Sequence, residues 1–382
     1  MKTVYLDSAA TTQLRPEVVE TMTAVLADSF GNPSSTHHSG RASKSLIEKA
    51  RKDIAKQLNV HPGEIIFTSG GTEADNLILQ SCVRDLGVER IISSPIEHHA
   101  VLHTIEELAA DRGIQADWVN IKKCSNIDYE HLAELLSDTS KKTLVSLMHI
   151  NNEVGTKLDV ERVAAMTKEA GAYFHSDTVQ SIGHYDVDLG ASGIDFAVVA
   201  AHKFHGPKGA GFAYVRKDTG LKPLIFGGAQ ERGMRAGTES THNIVGMAKA
   251  LEMAYANLEE ERAYIQGIKD YFIAQLKEHM PGINFNGSCA DPSQSTYTLL
   301  NVCLPIPPQK ALMLLFQMDL KGIACSKGSA CQSGSTGASH VLSAFLSEED
   351  LKKPSLRFSF SIFNTKEEID YVVGILKEFI ES

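Results

Sequence analysis

The chain has 382 residues, 43% of them hydrophobic and 22% charged, with a formal net charge of −10. That length exceeds what one hydrophobic core serves well, so two domains are expected and a marginally stable miniprotein is excluded. The acidic balance and the absence of any Lys/Arg-rich run exclude a nucleic-acid or anionic-membrane surface, since both need a basic footprint.

The N-terminal stretch "MKTVYLDSAATTQLRP" reaches Asp7 after a short apolar run and lacks a signal-peptide hydrophobic region. No apolar run is long enough to span a bilayer, so a soluble, cytoplasmic protein is expected. From about Arg15 to Ala250, short β-branched runs alternate with longer helix-like segments, the pattern of a mostly parallel sheet flanked by helices. Predicted strands cover 64–68, 90–93, 143–148, 172–176, 196–200 and 211–215. The first five are followed by "SGGTEADN", "PIEHHAV", "HINNEVG", "DTVQS" and "AHKFHGPKG". Ligands on such sheets gather at the carboxyl ends of strands, so five polar clusters there predict one shared pocket.

Helical periodicity then runs from Ile244 to Met280 and stops at "PG", which predicts one long helix bridging two domains. Beyond it come a predicted strand near 296–302, a helix over 309–320, a Gly/Ser-rich loop over 324–340, the strand "SLRFSF" and a final helix from Lys366. The expected organisation is a large α/β domain over 15–255 and a smaller α+β domain formed by 1–14 and 256–382. Six cysteines without CxxC spacing indicate neither a disulfide framework nor a zinc site, and no metal is expected.

Within the predicted pocket, Lys208 sits in the turn sequence "GPKG" and reads as a solvated lysine. Lys203 instead leaves an apolar strand between His202 and His205. Desolvation there disfavours the ammonium form, so Lys203 is a candidate Schiff-base amine, with a snorkelling structural lysine as the alternative. Asp177 ends the strand "FHSD" and either caps the next helix or pairs with a pyridine nitrogen. Together with Lys203, that second role suits pyridoxal 5′-phosphate (PLP), whose ring then stays protonated as an electron sink. Gln180 is placed to meet the ring's phenolic oxygen. "IIFTSGGTEADN" reads as strand, glycine pair and helix, with Thr72 at a helix start suited to phosphate. The histidines of "EHHAV" lack metal-ligand spacing. They read as a solvated pair, or one of them stacks on a flat cofactor.

These residues together resemble a cysteine desulfurase of the fold-type I, class V aminotransferase-like PLP enzymes, in the branch that supplies sulfur for iron–sulfur cluster assembly and nitrogen fixation. The resemblance runs in order through "YLDSAATT", "FGNPSSTHHSGRAS", "FTSGGTEADN", "EHHAV", "NNEVG", "SDTVQS", "HKFHGPKG", "ERGMRAGTES", "GSACQSGS" and "LRFSF". It implies that Lys203 holds PLP, Asp177 pairs with the ring nitrogen, Gln180 meets the phenolic oxygen, and His98 stacks on the ring and handles protons. Gly71, Thr72 and His202 would bind phosphate, joined by Thr238 from a second subunit, which makes the enzyme a homodimer. Asn152 and Arg357 would hold the carboxylate of L-cysteine. Cys331 of "GSAC" would be the nucleophile on a mobile loop, carrying a persulfide to a sulfur-acceptor protein, while Cys325 is a packed bystander.

Two departures stand out. Ala200 occupies the position, three before the lysine, where many relatives place a phosphate-binding serine. The chain also stops at Ser382 without the tail that some housekeeping relatives use to dock the cluster scaffold, which leaves the acceptor unassigned. A selenocysteine lyase and a class V aminotransferase are the alternative activities.

Overall fold

A computed structural model of the protein describes residues 3–327 and 339–381. The chain begins with β1 (Val4–Tyr5), then two helices, α1 (Pro16–Asp28) and α2 (His38–Gln57). An α/β run follows: β2 (Ile65–Thr68), α3 (Gly71–Leu86), β3 (Arg90–Ser93), α4 (His99–Arg112), β4 (Gln115–Trp118), α5 (Tyr129–Ser137), β5 (Thr143–Ser146), α6 (Val160–Glu169), β6 (Tyr173–Asp177), β7 (Phe196–Ala200) and β8 (Gly211–Val215). These strands form one seven-stranded sheet in the order β2-β8-β7-β6-β5-β3-β4. The ladder is parallel from β4 to β7, and β8 runs antiparallel to both β7 and β2. Because β2 is reversed twice relative to β7, its carboxyl end lies on the same edge as those of the parallel strands.

β2, β3, β5, β7 and β8 are buried at every position, as the continuous apolar runs in the sequence require of strands covered on both faces. β4 was not foreseen. Its sequence, QADW, alternates in polarity at the edge of the sheet and stays half-buried throughout, so it lacks the apolar run that marks its neighbours.

The single helix expected over 244–280 is two: α7 (Thr241–Ala256) and α8 (Leu258–His279). The break is at Asn257, whose φ of −114° and ψ of 14° leave the helical region and whose side-chain amide donates to the Met253 carbonyl at 3.2 Å. Asparagine competes with the helical backbone in this way, and periodicity alone does not register it. The bend has a packing cause. Ile244, Met247 and Leu251 of α7 join one apolar cluster with Ile47 and Ile54 of α2, whereas Ile265, Ile268, Phe272 and Leu276 of α8 join a second cluster with Phe358 and Val372.

That second cluster is built on β9 (Asn284–Phe285), β10 (Leu299–Cys303), α9 (Pro308–Leu320), β11 (Ile323–Ala324), β12 (Ser355–Ser359) and α12 (Lys366–Glu381), while the short helices α10 (His340–Ser343) and α11 (Glu348–Leu351) pack Val341, Leu342 and Leu351 in a small cluster with Ile96 and Val154. β12, β10 and β9 make an antiparallel sheet, and β1 pairs in parallel with β11, so Val4 and Leu6 pack into this C-terminal core. No helix among the described residues is long and apolar enough to cross a membrane.

Candidate active site

A cavity of about 230 Å³ opens at the carboxyl edge of the large sheet. Each of the five polar clusters contributes to it: Gly71 and Thr72 after β2, His98 after β3, Met148 and Asn152 after β5, Asp177 and Gln180 at the end of β6, and His202 and Lys203 just beyond Ala200, the last residue of β7, which also lines it. Arg357 enters from β12 in the C-terminal layer. All these expected residues line one space. Thr238 does not: it is exposed and lies away from this lining. Cys331 lies outside the described residues.

Lys203 Nζ donates to the carbonyl oxygens of Ala9 at 2.6 Å and Ala10 at 2.9 Å. Two carbonyl acceptors thus fix the amine at the end of β7. Ala9 O also accepts from Gln180 Nε2 at 3.1 Å, and Thr11 Oγ1 meets His202 Nδ1 at 3.2 Å. The segment Ala9–Thr11 therefore orients three pocket residues at once. No role for this segment is legible in the sequence, because it acts largely through the backbone carbonyls of Ala9 and Ala10, beside the Thr11 hydroxyl and the Asp7 carboxylate.

The buried carboxyl of Asp177 accepts from Val179 N–H at 2.9 Å and is pushed up to about 6, chiefly by burial, against the lowering effects of that hydrogen bond and of Lys203. A cationic ring nitrogen beside it would favour its charged form. Asp75, one turn into α3, also lines the cavity, and its carboxyl is raised well above the usual range, first by burial and then by Asp177. His175 Nε2 lies 3.4 Å from Asp75 Oδ1, and its Nδ1 meets Ser146 Oγ at 2.8 Å. This buried chain behind Asp177 had no signal in the sequence beyond a polar residue on an apolar helix face.

His98 caps α4: Ala100 N–H donates to its Nδ1 at 3.2 Å, which places the proton of the neutral ring on Nε2. Burial and then Lys203 push the imidazole down to about 4, so it is neutral at physiological pH. At the other end, Arg357 is 1% exposed; Nη1 donates to Asn152 O at 2.8 Å, and Nη2 pairs with Asp7 Oδ1 at 2.9 Å.

The two described flanks of the Cys331 segment are both anchored at this cavity. Ser326 exchanges backbone hydrogen bonds with Arg357 at 3.2 and 2.7 Å. On the other flank, Ser339 Oγ donates to the buried Glu153 carboxylate at 2.5 Å, and His340 Nε2 lies 2.9 Å from the carbonyl of Glu97, the residue before His98. Cys325 is a poor nucleophile where it stands: burial, and then Asp7, push its thiol up to about 12.

The segment that carries Thr238 is clamped to the large sheet. Arg51 grips Glu231 through both terminal nitrogens at 2.8 and 2.9 Å, Glu231 also accepts from Phe67 N–H at 2.8 Å, and Arg235 forks onto Glu73 at 2.8 and 3.1 Å. Glu231 and Arg232 sit at positive φ, 47° and 57°, a conformation that this clamp maintains. Glu231→Ala is expected to destabilise the protein by about 1–3 kcal/mol, because it removes the two-pronged partner of a buried arginine and the acceptor of Phe67 N–H, while Glu48 at 3.1 Å and the Ile65 carbonyl at 2.8 Å still hold Arg51. Denaturant melts check this, and a loss below about 1 kcal/mol would remove the clamp from its role.

The donor set fits a phosphorylated pyridine ring. The 16-residue α3 opens into the cavity at Gly71 and Thr72, where amides precede the first intrahelical acceptor. A Cβ at Gly71 would come within 3.1 Å of Val179 Cγ2. A strand-end lysine, a buried aspartate and a helix N-terminus around one space define a PLP enzyme of the fold-type I architecture. The class-V aminotransferase family model matches residues 4–372, and the chain belongs to that family, whose members are PLP-dependent. Among relatives, the chain is 39% identical over 383 residues to cysteine desulfurase IscS of Dictyoglomus turgidum, covering 99% of this chain and 94% of that one. A solved structure named as a NifS-like protein superposes with a TM-score of 0.90 at 34% identity over the full length of both chains. Another, described as SspA in complex with cysteine, gives 0.82 at 30% identity, covering 95% of this chain and all of that one.

Ala200 is 2% exposed, lines the cavity, and its Cβ lies 3.8 Å from where a Gly71 Cβ would stand. It thus faces the α3 N-terminus without offering a donor. Ala200→Ser is expected to tighten PLP retention by about 0.5–1.5 kcal/mol, the net worth of one hydrogen bond. Cofactor titration of the apoprotein measures this; unchanged or weaker retention would show that the hydroxyl has no place there.

Proposed function

We propose that the protein is a cysteine desulfurase that converts L-cysteine to L-alanine and passes the sulfur, as a Cys331 persulfide, to an acceptor protein for iron–sulfur cluster or other sulfur-cofactor synthesis. The observation that carries this reading is the meeting, at one cavity, of Lys203 and Asp177 with the carboxylate-binding arginine Arg357 and both flanks of the Cys331 segment. A class V aminotransferase has no use for that last feature.

PLP, when bound, supplies an electron sink for negative charge developing at the substrate Cα. Lys203 would hold it, Asp177 would keep its ring nitrogen charged, Gln180 would meet its phenolic oxygen, and Gly71, Thr72 and His202 would bind its phosphate. Arg357 and the Asn152 side chain hold the substrate carboxylate, the arginine by a two-pronged contact that lysine cannot copy. The Lys203 amine would also serve as the base for the substrate α-proton. His98 would pack against PLP and offer its Nε2 proton. The Cys331 thiolate then attacks the substrate sulfur, so an S–S bond forms as the C–S bond breaks, and alanine leaves after reprotonation. Thr238, on its clamped and exposed segment, completes the phosphate site of a second copy in a homodimer. The large unit over 15–255 carries the PLP site, the unit of 1–14 and 256–382 carries Arg357 and Cys331, and the cytoplasm is the working compartment.

The test is stoichiometric. The purified protein with L-cysteine is expected to release alanine and to accumulate sulfane sulfur in equal initial amounts without any keto acid. A requirement for a keto acid would favour the aminotransferase reading, and preference for selenocysteine would favour the lyase.

A further inference from the structure

A further carboxylate, besides Asp177 and Asp75, reaches the Arg357 end of the cavity without lining it. Asp7, just after β1, accepts through one oxygen, Oδ1, from Arg357 Nη2 at 2.9 Å and from Ser326 Oγ at 2.8 Å. Among the described residues no other carboxylate lies within ion-pair distance of Arg357. With 1% of its side chain exposed, the guanidinium cannot rely on water for its counter-charge, and its Nε is buried without an acceptor among the described residues. The backbone leaves Asp7 little choice of partner: it is bridged to Ser359, two residues beyond Arg357 on β12, and Leu6 N–H donates to Ala324 O on β11.

Resting on the reading of Arg357 as the clamp for a substrate carboxylate, we propose that Asp7 is a positioning residue for that clamp: a resident counter-ion that holds the guanidinium when the site is empty and shares it with an incoming carboxylate. A neutral ion pair attracts an anion less than a bare buried cation does. Asp7 therefore lowers the affinity of every carboxylate ligand, the product alanine included, and favours product release. The same oxygen fixes the hydroxyl of Ser326, so the root of the Cys331 segment is registered to the arginine that binds substrate.

The experiment compares L-alanine with ethylamine, which is alanine without its carboxylate, by titrating the visible absorbance of the full-length holoenzyme. Asp7→Asn keeps the shape and removes the charge. It is expected to raise the alanine-over-ethylamine preference by about tenfold, the order expected for one like charge a few ångströms away in a partly screened site. Asp7→Glu should restore a preference near that of the wild type. Asp7→Ser, which also loses the charge, must move the ratio in the same direction as Asp7→Asn, and it stands in if that variant does not fold. Steady-state kinetics should show a lower KM for L-cysteine and stronger inhibition by alanine. A merely structural residue would not yield a gain in affinity confined to ligands with a carboxylate. An unchanged or lowered preference in both charge-removing variants overturns the inference and leaves the desulfurase reading intact. No preference for alanine in the wild type overturns both, because Arg357 then binds no carboxylate.

Discussion

Lys203→Ala is expected to abolish turnover and to leave no covalent link between protein and PLP. Lys203 is the lysine at the cavity, it emerges from the buried strand β7, and its Nζ sits between the carbonyls of Ala9 and Ala10. The substitution removes the group that anchors the cofactor and the base that takes the α-proton. A lost general base costs about 10²–10⁴-fold, so alanine release should fall by at least the lower figure. Borohydride reduction followed by peptide mapping locates the modified lysine in the wild type. A Lys203→Ala protein that still carried a reducible PLP adduct would assign the role to another amine, and the exposed Lys208 would be examined next.

Cys331→Ala should bind PLP normally, shift its absorbance with cysteine, release no alanine above background and carry no persulfide. The binding steps depend on Lys203, Asp177 and Arg357, none of which this change touches. Cys325→Ala is the matched control. Its thiol is pushed up to about 12 by burial and by Asp7, so very little thiolate exists at neutral pH, and loss of that sulfur should affect packing more than chemistry. Mass measurement after brief exposure to cysteine, paired with an alanine assay, reads both variants. A sulfur adduct on Cys325 in the wild type, or normal alanine production by Cys331→Ala, would mean that the wrong sulfur has been assigned.

Other predictions turn on features of different visibility in the sequence. The strands at 90–93, 196–200 and 211–215 have the same bounds in the sequence reading and in the structure, because continuous apolar runs between turn residues admit few other conformations once both faces are covered. β4 and the break at Asn257 were not legible. One is an edge strand whose pairing, not its side chains, makes it a strand; the other depends on a single amide that turns the chain from one core toward the next. The same division holds within the pocket. Lys203, Asp177, His98 and Arg357 carry side-chain chemistry, so a motif can reveal them. The carbonyls of Ala9 and Ala10, the Asp7 counter-ion and the Asp75–His175–Ser146 chain act through position, and position does not appear in a one-dimensional pattern.

By itself, then, the sequence determined the period of the elements, the set of polar clusters at successive strand ends and the chemical types available there, because hydrophobic periodicity and local turn chemistry are properties of neighbours along the chain. Only the tertiary structure decided which of those groups share a cavity and in what ionic state. Long-range packing brings residue 7 to within hydrogen-bond reach of residue 357, and burial, which no local stretch encodes, raises Asp177, lowers His98 and makes the pairing of Arg357 with Asp7 matter.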